Sequence, residues 1–372
     1  MKTKHVGKQI IIGVLLLFSF TCSWGQSNIK EGNNHFAKYT KSGDIKDLLE
    51  ARKYADLAYK LKRDSTSYNN TLLKALVYSS LSVADSNRSQ KYEKDPIDEA
   101  EFMLGRLTDN QLNFENEAKL NYIKKRLATG YLIKARRALE KKNYEEAYQL
   151  FSKVQQYNNE VDTRHNLALL SEQLGKNDEA IAIYSDFMKN KSLTKPGYVL
   201  TLARLYLAKG DHNAAQNTLL QGREYFPTNK DILFTLLNLY ASNGAYDAII
   251  PLAEDALALE PESVHLNYLI GFAYEETGDR KKAEEYYKKT LTLDPDDYNS
   301  NYELGLLYLK DFIKDTADLE KQYVAQQYLL KANEIDPNAV NALKSLAILF
   351  DKSGNDVQLE RVNSQLNQMD TN

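Results

Sequence analysis

With 372 residues, 43% of them hydrophobic and 27% charged, the chain has the composition of a soluble protein with room for two or three ordinary domains. Its 48 Lys+Arg against 51 Asp+Glu give a net charge of −3, and that mild acidity argues against a dedicated nucleic-acid binder, which carries a basic face. A single Cys excludes a disulfide framework, while 26 Tyr is unusually many.

Residues 1–25 have the three-part layout of a secretory signal peptide. Lys2, Lys4 and Lys8 supply a positive start, Ile10 to Phe20 an apolar run of eleven residues, and Ser23 and Gly25 small side chains ahead of a cut before Gln26. A run that short does not make a comfortable membrane span, which needs about 20 residues. Cleavage would remove Cys22, Trp24 and three lysines, leaving 45 basic against 51 acidic side chains and a net charge of about −6. The reading is an exported protein, in the periplasm or cell envelope of a Gram-negative bacterium. An uncleaved anchor and a lipoprotein cut at Cys22 are the alternatives, although Phe20 suits lipoprotein cleavage poorly. Membrane association is expected only in those two cases.

Residues 26–127 carry divergent, solenoid-like helical segments. Ala51, Ala55 and Ala58 mark the apolar face of one helix, and further helices are expected over Asn69–Asp85 and Pro96–Asp109.

Downstream, a fixed period dominates. Tyr206, Tyr240, Tyr274 and Tyr308 fall 34 residues apart, and Gly210, Gly244 and Gly278 keep the same interval, as do Pro227, Pro261 and Pro295. The clearest copy is Val264–Asp297. In it Leu269, Ile270, Ala273 and Tyr274 follow helical spacing, and Thr277-Gly278-Asp279 is a break. A second stripe follows from Ala283 through Tyr286, Tyr287, Thr290 and Leu291, and Pro295 ends the unit. Two antiparallel helices cannot bury both faces alone, so such copies must stack.

Period and residues together resemble the tetratricopeptide repeat, a 34-residue helix pair. Ile270-Gly271 stands at the Leu-Gly pair, Tyr274 and Tyr287 at the aromatics, Ala283 at the small residue and Pro295 at the terminal proline, with Asn267 replacing the opening Trp. The resemblance implies an all-α solenoid, a right-handed superhelix of antiparallel helix pairs. Copies are read at about 128–161, 161–194, 196–229, 230–263, 264–297 and 298–339, and residues 340–372 form a terminal capping repeat whose second helix, Val357–Met369, is mostly polar. Gly271→Leu is expected to overpack the helix–helix contact and cost about 1–3 kcal/mol, measurable by urea denaturation.

Two departures stand out. Tyr308 and Ala325 are 17 residues apart where other copies have nine, so extra residues near 311–321 lengthen the first helix or form a loop. That insertion is a binding element or a surface loop. Pro251 sits inside an expected helix and should kink it or shift its start.

In this family the first helix of each repeat lines a concave groove. The resemblance places His165, Asn166, Arg204, Phe234, Thr235, Asn238, Tyr268, Phe272, Glu276, Tyr302 and Leu306 on inward faces. An aromatic patch edged by amides and charges suits a peptide or protein partner, because aromatics and Arg dominate binding hot spots. The 34-residue Tyr series is assigned to the core instead. The paired Lys and Asn residues with which some members grip a partner's terminal carboxylate are missing, since Asn166 and Asn238 lack matching lysines.

No chemistry competes with that reading. His35, His165, His212 and His265 are scattered, with no i, i+4 pair for zinc and no phosphate-binding glycine loop or nucleophile elbow. The expectation is a non-enzymatic scaffold or adaptor without cofactor or metal. A structural subunit of an envelope secretion or outer-membrane assembly complex is the second reading, and an enzyme or regulator of one the third.

Overall fold

The computed structural model describes residues 28–60 and 67–370, so the signal-like segment with Cys22 and Trp24 lies outside the described residues. Among the described residues every regular element is helical, and no helix is long and apolar enough to cross a membrane. The chain forms two compact units that meet in sequence at Leu193 and Thr194.

The N-terminal unit holds α1 (28–42), α2 (Ile45–Lys60), α3 (Tyr68–Ala84), α4 (Pro96–Gly105), α5 (Asn110–Glu115), α6 (Glu117–Glu140), α7 (Tyr144–Tyr157), α8 (Val161–Gln173) and α9 (Asn177–Met188). Its centre is α3, on which α2, α4 and α6 all pack. A helix surrounded on all sides needs no polar face, and Leu72, Leu73, Ala75, Val77, Tyr78 and Leu81 are buried around its whole circumference. Ser79, Ser80 and Ser82 are buried there too. Their hydroxyls donate to the carbonyls of Leu76 and Ser79 one turn back, and Ser80 Oγ also lies 3.0 Å from the Tyr122 hydroxyl of α6. The helix α6 passes unbroken through position 127 because Ile123, Leu127 and Tyr131 continue one buried face. At Gly130 a Cβ would stand 2.8 Å from Ser82 Oγ, so α6 lies directly against α3.

The C-terminal unit stacks hairpins in chain order. It contains α10 (Pro196–Ala208), α11 (His212–Tyr225), α12 (Lys230–Ser242), α13 (Ala253–Leu259), α14 (Val264–Glu276), α15 (Arg280–Leu293), α16 (Tyr298–Lys314), α17 (Leu319–Ile335), α18 (Val340–Ser353) and α19 (Asp356–Asp370). The stretch 128–339 thus contributes to both units. The division follows the polar run 189–195 (KNKSLTK), after which Pro196 opens α10 at a position where its missing N–H costs nothing.

One hairpin shows how local chemistry builds the unit. Ser263 caps α14 by accepting from Leu266 N, and Asp279 caps α15 by accepting from Lys282 N. Between them Gly278 holds φ +88°, a left-handed conformation that a side chain resists. The α6–α7 turn breaks that rule, since Lys142 takes φ +58°. Inside the α14–α15 hairpin, a Cβ on Gly271 would meet Tyr287 Cδ1 at 2.9 Å, which is the contact that a leucine would overpack.

The sequence departures resolve physically. The extra residues near 311–321 extend both helices, so that α16 and α17 each run 17 residues where α14 has 13 and α15 has 14. Phe312, inside that insertion, is fully buried among Leu309, Leu329, Leu343 and Leu346. The insertion is therefore partly core, while residues 315–318 form a short and largely exposed loop. Pro251 leaves the segment before α13 as two 3₁₀ turns, Tyr246–Ala248 and Ile250–Leu252. Of the periodic tyrosines, Tyr240 and Tyr274 are buried, but Tyr206 and Tyr308 are only half-buried, so the series is not uniformly core. At the end of the unit, α19 buries Val362 and exposes Glu360, Arg361, Asn363 and Gln368 to water.

Candidate protein-binding groove

The inward residues read from the sequence fall in both units. His165 and Asn166 belong to the N-terminal unit. His165 is turned toward its own hairpin, with Nδ1 3.1 Å from the Tyr184 hydroxyl of α9. Asn166 donates to the Asp162 carbonyl at 2.8 Å and lines an open cleft of about 560 Å³ with Lys125, Thr129 and Arg136 of α6.

The remaining residues lie in the C-terminal unit. Arg204 on α10 is exposed. Phe234 and Thr235 on α12 are half-buried, and Asn238 is exposed with Oδ1 3.4 Å from His265 Nε2. Tyr302 stacks on Tyr298 with centroids 5.9 Å apart, and both Tyr302 and Leu306 pack against the core shared by α16 to α18. Tyr302 and Leu306 are therefore at least partly structural.

Tyr268 and Phe272 are brought together most clearly. Their rings stack at 6.1 Å on one face of α14, and Tyr246 meets Phe272 edge-on at 5.2 Å. Behind them Tyr287 is fully buried and stacks on Tyr268 at 5.8 Å. The three front rings, Tyr246, Phe272 and Tyr268, are only half-buried and form a ledge. Aromatic pairs of this kind bring contact area at low entropic cost.

Acidic groups flank the ledge. Glu275 accepts from Lys310 Nζ at 2.9 Å and from the Tyr287 hydroxyl at 3.0 Å, so both of its oxygens are engaged. Glu276 is exposed on the same helix. Glu303, next to Tyr302 on α16, is half-buried and has no hydrogen bond or ion pair among the described residues. Burial, then the negative charges of Glu275 and Glu276, push its carboxyl up to about 7, against the opposing pull of Lys310. A raised acid favours the folded state while protonated. Glu303 thus withdraws stability as pH rises from the ordinary glutamate range toward 7, a cost fully present above that. Burial first, and Glu303 next, also raise the Tyr268 hydroxyl.

Glu303 and Tyr246 are the participants that sequence reasoning passed over. Glu303 stands directly after Tyr302 in sequence, which was a usable signal. Tyr246 is set by the 3₁₀ segment ahead of Pro251, and only the proline hinted at it. Among the described residues no group of three or more His, Cys, Asp or Glu is placed to hold a metal ion.

Three family models described as tetratricopeptide repeat match residues 161–189, 200–264 and 240–304. Among solved structures, the C-terminal part of a TPR repeat-containing protein from Cytophaga hutchinsonii is 18% identical with a TM-score of 0.51, covering 64% of this chain and 94% of that one. YrrB, described as a TPR protein with an unusual peptide-binding site, is 19% identical with a TM-score of 0.42, covering 52% of this chain and 96% of its own. MamA is 17% identical with a TM-score of 0.42, covering 47% and 92%. At these identities the likeness is one of fold. No curated protein matches the chain.

Proposed function

We propose that the chain, which matches tetratricopeptide-repeat models over residues 161–189, 200–264 and 240–304, is a scaffold for protein interaction whose C-terminal unit holds a peptide or protein partner on the inward faces of α12, α14 and α16. The observation that carries this is the ledge of Tyr246, Phe272 and Tyr268. These are three large rings packed on each other yet left half-open, with the fully buried Tyr287 stacked behind them. An aromatic anchor at the centre of a binding surface contributes about 2 kcal/mol or more, so Phe272→Ala is expected to weaken capture of the native partner roughly thirtyfold. Quantitative pull-down from the native envelope, with circular dichroism to verify folding, measures it. A folded Phe272→Ala protein that captures the same partner equally well sinks the groove reading.

The signal-like segment supports export to the cell envelope as part of the same proposal. Mass determination of the mature N-terminus tests it: a chain starting at Gln26 agrees, one starting at a lipid-modified Cys22 makes it a lipoprotein, and one that keeps Lys2 removes cleavage. A second reading, a structural subunit of an envelope assembly, is favoured by one feature. Leu319 and Tyr323 are 70% and 61% exposed at the tip of the lengthened α16–α17 hairpin, an apolar surface outside the groove.

A further inference from the structure

Resting on the groove reading, we infer that the partner segment carries a basic side chain, Lys or Arg, whose apolar stem lies along Tyr268 and Phe272 and whose cation pairs with the Glu303 carboxylate. Three observations on the page argue for that occupant over a neutral or acidic one.

First, Glu303 is the carboxylate with nothing to do. Glu275 beside it is engaged twice, by Lys310 and by Tyr287, whereas Glu303 makes no hydrogen bond or ion pair among the described residues while remaining half-buried. A partly desolvated, unpaired carboxylate is costly, and an incoming cation removes that cost at the moment of binding. Second, the local charge is one-sided. Glu275, Glu276 and Glu303 face a single nearby cation, Lys310, whose ammonium is already committed to Glu275. The field at the ledge is therefore negative, attracting basic segments and repelling acidic ones. Third, the apolar wall is aromatic. Stacked rings 6.1 Å apart, with the Tyr268 hydroxyl free of any hydrogen bond among the described residues, offer π faces to a guanidinium or ammonium. Hydrophobic stem and charged head then find complementary surfaces on α14 and α16.

The pairing runs opposite to a terminal-carboxylate clamp. It needs an internal basic residue and no free C-terminus.

The test is a positional-scanning library of acetylated, amidated heptapeptides bound to the whole protein, read for the wild type, Glu303→Gln, Phe272→Ala and the remote surface control Glu360→Gln. The expected result is enrichment of Arg or Lys at one position. In Glu303→Gln the basic residue's advantage should fall about tenfold, while neutral peptides bind as before and Glu360→Gln matches the wild type. If peptides bind in a manner sensitive to Phe272→Ala but favour neutral or acidic residues, the groove reading survives and this inference is overturned. The same holds if the basic preference persists in folded Glu303→Gln, or is lost equally in Glu360→Gln. If no peptide binds, or binding ignores Phe272→Ala, the groove reading fails and takes the inference with it.

Discussion

Phe312→Ala is expected to cost the C-terminal unit about 3–5 kcal/mol, the range for emptying a fully buried aromatic site. The ring is 0% exposed and lies in one cluster with Leu309, Leu329, Leu343, Leu346, Leu349 and Phe350, drawn from α16, α17 and α18. The residues of that cluster are all apolar, so a void among them loses contacts outright. In a stacked array each hairpin leans on its neighbours only, which concentrates the damage locally. Hydrogen exchange should therefore show protection lost across α16 to α19 and largely kept in α10 to α12, alongside a drop in urea midpoint. The adjacent Ile313→Ala is the control: its side chain is 43% exposed, and its loss should stay near about 0.5 kcal/mol. A Phe312→Ala loss below about 1 kcal/mol would mean that the extra residues are not part of the core.

This placement changes how the second functional reading can be probed. Deleting the residues near 311–321 removes a core side chain, so loss of assembly after such a deletion would report unfolding as readily as a lost interface. Polar replacement of Leu319 and Tyr323 touches only the exposed tip and leaves Phe312 in place.

The contrast between Phe312 and its surroundings also shows where sequence reasoning stops. Tyr240, Tyr274, Gly244 and Gly278 announce the helix pairs because a translational repeat places equivalent residues in equivalent surroundings, so their spacing survives in one dimension. The insertion interrupts that translation, and nothing in its spacing says that one of its residues turns inward. In the N-terminal unit α3 has lost its polar face by being enclosed, and with it the amphipathic period by which a repeat helix is recognised. At the groove, Tyr268 and Phe272 follow from phase alone. Glu303 does not, because its interest lies in the hydrogen bonds it lacks, and a missing partner is a three-dimensional fact. Tyr302 and Leu306 carry the same phase as Tyr268 and Phe272, yet they lie half-buried against the core that α16 shares with α17 and α18.

Lys74→Met is expected to cost the N-terminal unit about 3 kcal/mol, the lower end for breaking a buried ion pair from one side. Lys74 on α3 lies 2.7 Å from Glu99 Oε1 and 3.5 Å from Asp56 Oδ1, and its side chain and that of Glu99 are each only 12% exposed. Its ammonium also sits 4.4 Å over the Tyr59 ring. The two carboxylates would fare differently without it. Asp56 keeps the Tyr78 hydroxyl at 2.9 Å and Arg52 at 3.7 Å, whereas among the described residues Glu99 keeps only Lys94 at 3.8 Å, on a half-exposed arm. Glu99 is thus the stranded charge. The neighbouring cleft of about 270 Å³ admits water, which holds the cost toward the lower end. Because the penalty belongs to Glu99 and not to the missing lysine, removing that charge as well should restore stability. The double variant Lys74→Met, Glu99→Gln is expected to recover more than half of the loss, giving a coupling energy above about 1.5 kcal/mol in a double-mutant cycle by urea denaturation. Costs that simply add, within about 0.5 kcal/mol, would mean that the lysine contributes through its packing alone. In that case the charges around α3 form a surface lattice instead of the pin that holds α2, α3 and α4 in register.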